Sequence, residues 1–324
     1  MNENKTNINC LSCIYDDYYL NPYKMGIFKN WDLASFGKKE RKIIKKKRWI
    51  LMLESYESVS PTAILTSYPR IFTDIPYEKD IYEWLNKNCN EEVKLNKLLA
   101  PELEARFKLA NKLLDKQNVT QVLELAAGYT SRGLAYSQNE YKYVEMDLEE
   151  VSNNKKKIIN ELFEMNNNLH IVDGNALNME DYIKCEKYFD DNKELVIINE
   201  GLLRYLTFDE KKKVGQNIYN MLKKYGGAWI TCDVTPNKFI QKQDEQNPTL
   251  NDNINNVTSR NNLNDRFKDE NHIRTFFGEI GFNNIEIHKF IEVKDELKSF
   301  DILGIDKDSG DELLDSALVA ILKI

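Results

Sequence analysis

From residue 119 onward, apolar runs of strand length alternate with stretches whose apolar residues recur every three or four positions. That rhythm predicts an α/β fold, a doubly wound sheet of about seven mostly parallel strands with helices on its faces. Strands are expected at 122–125, 141–146, 169–172, 195–199, 228–232, 284–289 and 317–322. The runs "LVII" and "LVAIL" are apolar at every position, as strands covered on both faces must be. The best-marked helix begins after Thr207, which forms a T-x-x-E capping box with Glu210, and carries Val214, Ile218 and Leu222 along one face. Gly226 and Gly227 supply its stop. Further helices are expected over 149–165 and 269–280, the second with Ile273, Phe276, Phe277 and Ile280 before Gly281.

Residues 1–118 lack this alternation and read as an aromatic-rich helical cap. Pro101 marks a helix start there, with Leu103, Phe107, Ala110 and Leu114 on one face. The sheet domain is expected over 119–324, interrupted at about 236–268 by a polar, asparagine-rich insertion that reads as a lid or a disordered connection.

Composition narrows the class. A chain of 324 residues, 42% hydrophobic and 30% charged, can bury one large core and carry an appended segment. It has no apolar run long enough to span a bilayer and no secretory block at its start, so the expected location is cytoplasmic, with no membrane partner. The net charge of −7 argues against a nucleic-acid partner, which would demand a basic face. The run at 38–48 holds eight basic residues and one acid and invites a nucleic-acid or anionic-membrane reading; a solvated helix face is favoured over it, and an electrostatic funnel for an acidic substrate is a third use. Five cysteines, at 10, 13, 89, 185 and 232, are odd in number and scattered, so free thiols are expected and no metal site.

In a doubly wound sheet the ligand lies beyond the carboxyl ends of the strands, where strand order reverses. After the first strand, which holds Glu124, come Ala126, Ala127 and Gly128, small enough for close backbone approach. Asp147 ends the second strand 19 residues beyond Gly128, the spacing of a ribose-binding carboxylate. Asp173-Gly174-Asn175-Ala176 follow the third strand, and Asn199-Glu200-Gly201 follow the fourth. Acids at such places also cap turns. Glu200, however, adjoins a buried strand, where a charge needs a partner. "AAGYTSRG" lacks the three glycines of a dinucleotide fingerprint, and Leu134 stands where a phosphate-binding loop needs lysine. A ligand without phosphate is therefore favoured, and S-adenosylmethionine meets that condition.

"ELAAGYTSRGL", "YVEMDLEEV", "VDGNAL" and "NEGLLRYL" resemble, in order and spacing, the motifs of the leucine carboxyl methyltransferase family, especially its branch like the polyketide carboxyl O-methyltransferases. The resemblance extends to "SPTAILTSYPRIFTD" and covers roughly 58–235. It implies a Rossmann-like class I methyltransferase fold and S-adenosylmethionine as cofactor. Glu124, Ala126 and Gly128 would line the methionine side and Asp147 would bind the ribose hydroxyls. Asn175 and Ala176 would edge the adenine, Glu200 would meet the amino end, and Arg70 would reach the carboxylate. Arg132 would brace the glycine loop. Ala126 departs from the family, whose loop has glycine there.

The implied reaction is O-methylation of a small-molecule carboxylate, which needs no general base because it is already ionised at neutral pH. No catalytic residue is therefore assigned. A phenol, another hydroxyl or a protein C-terminal carboxylate is an alternative acceptor; for a phenol, His272 and Tyr205 are candidate bases. A non-catalytic cofactor-binding protein is a further alternative. A nucleic-acid methyltransferase is disfavoured because "NEGL" stands where it would carry a D/N-P-P-Y/F motif.

Overall fold

A computed structural model describes residues 60–88, 96–164, 166–237 and 265–324. The chain divides into two units, Met1–Glu54 and Ser55–Ile324, and the described residues all lie in the second. The basic run at 38–48, the Cys10–Cys13 pair and residues 238–264 of the expected insertion lie outside the described residues. Cys185 and Cys232 are buried free thiols.

Each expected strand forms, shifted by at most one residue at an end: β1 (Gln121–Leu125), β2 (Lys142–Asp147), β3 (Leu169–Asp173), β4 (Leu195–Asn199), β5 (Gly227–Thr231), β6 (Asn284–Lys289) and β7 (Leu318–Lys323). They make one sheet in the order β3-β2-β1-β4-β5-β7-β6. β1 to β5 run parallel, and β7 enters antiparallel between β5 and β6. This is a mostly parallel, Rossmann-like doubly wound sheet. β1 and β4 are buried at all five positions, which is why their sequences show no polar alternation. β6, at the sheet edge, alternates exposed and half-buried residues over its first four positions.

The helices are α1 (Ser60–Arg70), α2 (Glu78–Asn88), α3 (Ala100–Asp115), α4 (Arg132–Ser137), α5 (Glu149–Leu162), α6 (Met179–Glu186), α7 (Phe208–Tyr225), α8 (Glu270–Ile280), α9 (Ser299–Leu303) and α10 (Asp311–Ser316). None described is long and apolar enough to cross a membrane. α3 starts at its proline. Its residues Leu109, Ala110, Leu113 and Leu114 share a core with Val122, Leu134, Ile159, Val196, Ile198, Ile230, Val319 and Ile321, so α3, α4 and α5 cover one face. α7 and α8 cover the other, where Trp229 meets Phe277 edge-on at 5.2 Å. The Thr207–Glu210 capping box of α7 forms as expected, and Asp269 caps α8 by accepting from His272 N.

Because β1 is flanked by β2 on one side and β4 on the other, the chain's excursions from these two central strands run in opposite directions. The carboxyl ends of β1 and β4 therefore open a crevice.

Candidate cofactor and substrate site

Five buried residues, Gln121 to Leu125, carry β1 into the crevice, where the backbone turns sharply. Ala126 has φ +49° and Gly128 has φ +54°, so two of three consecutive residues adopt the left-handed conformation. At Gly128 this conformation favours glycine, and a Cβ there would lie in ordinary contact with α1, 3.7 Å from Ala63 Cβ. Ala126 adopts the conformation although it carries a methyl group.

Asp147, at the end of β2, faces this loop. Its Oδ2 accepts a 2.6 Å hydrogen bond from Gly128 N, and its Oδ1 accepts one of 2.7 Å from Leu148 N. Burial pushes its carboxyl up to about 6 against the pull of those two amides. A carboxylate offers about four acceptor sites, so both oxygens retain lone pairs.

Behind the loop, Lys155 of α5 forms a 2.8 Å ion pair with Glu145 of β2 and donates to Thr130 O. Burial and the neighbouring Glu124 raise the Glu145 carboxyl, and Lys155 opposes them. Glu78 of α2 accepts a 2.8 Å hydrogen bond from Ser131 N. The loop is thus held from beneath by α5 and from the side by α2.

Glu200 follows β4 and is ringed by arginines. Arg132 NH2 donates to its Oε1. Arg106 Nε stands 3.3 Å and Arg70 NH2 3.6 Å from its Oε2. Burial works against the charge, but Arg132, Arg106 and Arg70 together outweigh it and hold the Glu200 carboxyl below its ordinary range. Arg132, wholly buried, also donates to Glu124 Oε1 and, through Nε, to Asn111 Oδ1 at 2.7 Å, and its guanidinium lies 4.5 Å from the Phe107 ring centre. The remaining oxygen of Glu124 accepts from Tyr143 Oη at 2.8 Å. Each Glu124 oxygen thus accepts one hydrogen bond within the protein, and Arg132 ties the end of β1 to the residue that follows β4.

At the third strand end, Asn175 N donates to Asp181 Oδ2 at 3.0 Å and Asn175 Oδ1 accepts from Leu177 N at 2.9 Å. Asn175 Nδ2 is buried without a hydrogen-bond partner. Ala176 is buried beside it, its carbonyl accepting from Tyr182 Oη and Asn217 Nδ2. His272 accepts from Lys268 N through Nδ1 and packs against Phe208 and Phe267; it is part of an aromatic cluster on α8.

Arg106, Glu78 and Asp233 were not among the residues singled out by sequence. Asp233 follows β5, so the strand-end rule extended by one strand finds it. Arg106 interrupts the apolar face of α3 beside Phe107, and a cation inside such a face is the signal that was there to be read.

Residues 82–219 match the family model described as leucine carboxyl methyltransferase. That stretch runs from α2 into α7 and includes the loop, Asp147, Asn175 and Glu200. No curated protein matches the chain in sequence. Solved structures resemble it at low identity. Human N-acetylserotonin methyltransferase in complex with SAM is 10% identical with a TM-score of 0.42, and the match covers 77% of this chain and 59% of that one. The chain thus spans about three fifths of the human enzyme's length. A DUF574 family protein from Streptomyces avermitilis is 10% identical with a TM-score of 0.47, covering 80% of this chain and 96% of that one. Magnesium protoporphyrin IX methyltransferase from Synechocystis PCC 6803 with bound SAH is 10% identical with a TM-score of 0.44, covering 77% and 96%.

Proposed function

We propose that this chain is a cytoplasmic S-adenosylmethionine-dependent O-methyltransferase acting on a carboxylate of a small molecule, in the manner of the polyketide carboxyl O-methyltransferases. The observation that carries the reading is the pair of acids at the β1/β4 crevice. Asp147 reaches Gly128 from one side, and Glu200, kept ionised by three arginines, closes the other.

The polar atoms left without hydrogen-bond partners fit such a cofactor. Arg70 Nε and Asn175 Nδ2 are buried without a hydrogen-bond partner, and Glu200 Oε2 is met by ion pairs with Arg106 and Arg70 but by no hydrogen bond. Buried groups of this kind cost stability unless a ligand completes them. Glu200 would take the amino end, and Arg70 with Arg106 the carboxylate. Asp147 would take the ribose hydroxyls with its free lone pairs, and Asn175 and Ala176 the adenine edge. Ala126 and Gly128 would let the backbone pass close to the methionine part.

When bound, the cofactor supplies an electrophilic sulfonium methyl. A carboxylate acceptor, already ionised at neutral pH, would take that methyl with no general base from the protein. The protein's work is then positioning and exclusion of water. Loop 126–131, pinned by Glu78, Asp147 and Lys155, provides the positioning. Helix α1, whose Ala63 stands over Gly128, provides cover. Helices α1 to α3 would shape the acceptor side.

Calorimetry with S-adenosylmethionine on the wild type and on Asp147→Ala tests the cofactor; absence of binding, or equal binding by both proteins, overturns the reading. A panel of small carboxylic acids and phenols with labelled cofactor, read by mass, tests the acceptor. Methyl transfer only to phenols would move the reaction to the alternative acceptor. Tight binding without transfer to any acid would make the chain a binding protein.

A further inference from the structure

The chain after β4 turns through Gly201, which has φ +72° and no neighbour within 4 Å of the place a Cβ would occupy. The turn points three successive backbone N–H groups at one place. Gly201 N donates to Asp233 Oδ1 at 2.8 Å, while Leu202 N and Leu203 N donate to Asp233 Oδ2 at 2.7 and 2.9 Å. Asn199 Nδ2 donates to that same oxygen at 2.7 Å, and Asn199 Oδ1 accepts from Trp229 Nε1 at 2.7 Å. Successive amides converging in this way form an anion-binding nest. Here the protein fills it with its own carboxylate, carried in by the chain just after β5.

Glu200 is the one residue between Asn199 and Gly201, both held by Asp233. Its side chain emerges from a turn fixed on each side by charge-assisted hydrogen bonds. A carboxylate that must meet three arginines and still present one oxygen tolerates little rotation of its backbone. We propose that Asp233 is a positioning residue for cofactor recognition, which by filling the nest holds Glu200 at the angle from which it grips the amino end of the cofactor. The inference rests on the methyltransferase reading, since it concerns the group Glu200 is there to bind.

The test compares two ligands, S-adenosylhomocysteine and its deamino analogue, which differ only in the amino group. Wild-type protein should prefer the amino-bearing ligand, and Glu200→Gln should abolish most of that preference. Asp233→Asn keeps the size of the side chain but sets an amide against the N–H donors. It should reduce the preference about tenfold, the scale of a lost charge-assisted hydrogen bond, while leaving affinity for the deamino analogue near the wild-type value. A merely structural role would weaken both ligands together, and that result overturns the proposal.

Asp233→Ala provides an independent arm, because it empties a nest that is only partly covered. Formate added to this variant should restore the preference for the amino-bearing ligand in a saturable way, and chloride at equal ionic strength should not. Failure of formate together with parallel loss of both ligands counts against the inference. If the wild type binds neither ligand, the methyltransferase reading itself fails, a result distinct from either outcome.

Discussion

Replacing Ala126 by glycine should stabilise the protein. Residue 126 has φ +49°, in the left-handed region where an L-residue with a Cβ pays about 1–2 kcal/mol. Glycine removes that strain but brings a more flexible unfolded chain, which costs about 0.5–1 kcal/mol. The difference is a net gain on the order of 0.5–1 kcal/mol, or a rise of about 1–3 °C in Tm for a unit of this size. The substitution gives the loop the glycine of the leucine carboxyl methyltransferase motif it resembles, so the gain should come with cofactor affinity retained. Urea unfolding followed by circular dichroism measures it as a shift in midpoint at constant slope. Ala126→Val provides the opposite sign, since a β-branched residue resists this conformation more than alanine does. If Ala126→Gly instead loses 0.5 kcal/mol or more, residue 126 is not left-handed in solution and the account of the loop is wrong.

Other substitutions probe the rest of the site. Arg132→Leu strands Glu124 and Glu200 without their shared cation and should cost about 3–5 kcal/mol, measured by the same unfolding assay. Cofactor affinity should fall as pH drops through about 6, because Asp147 must be ionised to accept the ribose hydroxyls and its carboxyl is raised to about 6. For folding the sign reverses: the folded state holds that proton more tightly than the unfolded chain does. The protonated form's contribution is therefore present at low pH and lost as pH rises through about 6, and Asp147→Asn should remove that dependence from a stability–pH curve. Thr207→Ala removes the acceptor for Glu210 N and should lower stability by about 1 kcal/mol.

The strands were legible because a sheet covered on both faces leaves apolar runs with no polar alternation to confuse them. The acids at strand ends were legible because topology alone puts ligands there. Long-range arrangement was not. Nothing near Arg106 in sequence tells that its guanidinium will meet Glu200, 94 residues on. Nothing around Glu78 tells that it will hold Ser131 N. Nothing around Glu124 tells that Arg132 and Tyr143 will each donate to one of its oxygens. Ala126 was legible as a departure from the family's glycine. The fact that its backbone keeps the left-handed turn depends on the crossing of α1, the loop and β2.

The placement of β7 bears on how the chain is made. Among the described residues, β6 pairs only with β7, and β7 alone joins it to β5. During synthesis, residues 284–289 therefore leave the ribosome with no strand to pair with, and they wait until residues 318–323 have followed. The five parallel strands can assemble first, with the side of β5 left unpaired as an open edge. A nascent chain stalled just before residue 318 should thus expose two unpaired edges, on β5 and on β6, of the kind that chaperones and neighbouring nascent chains capture.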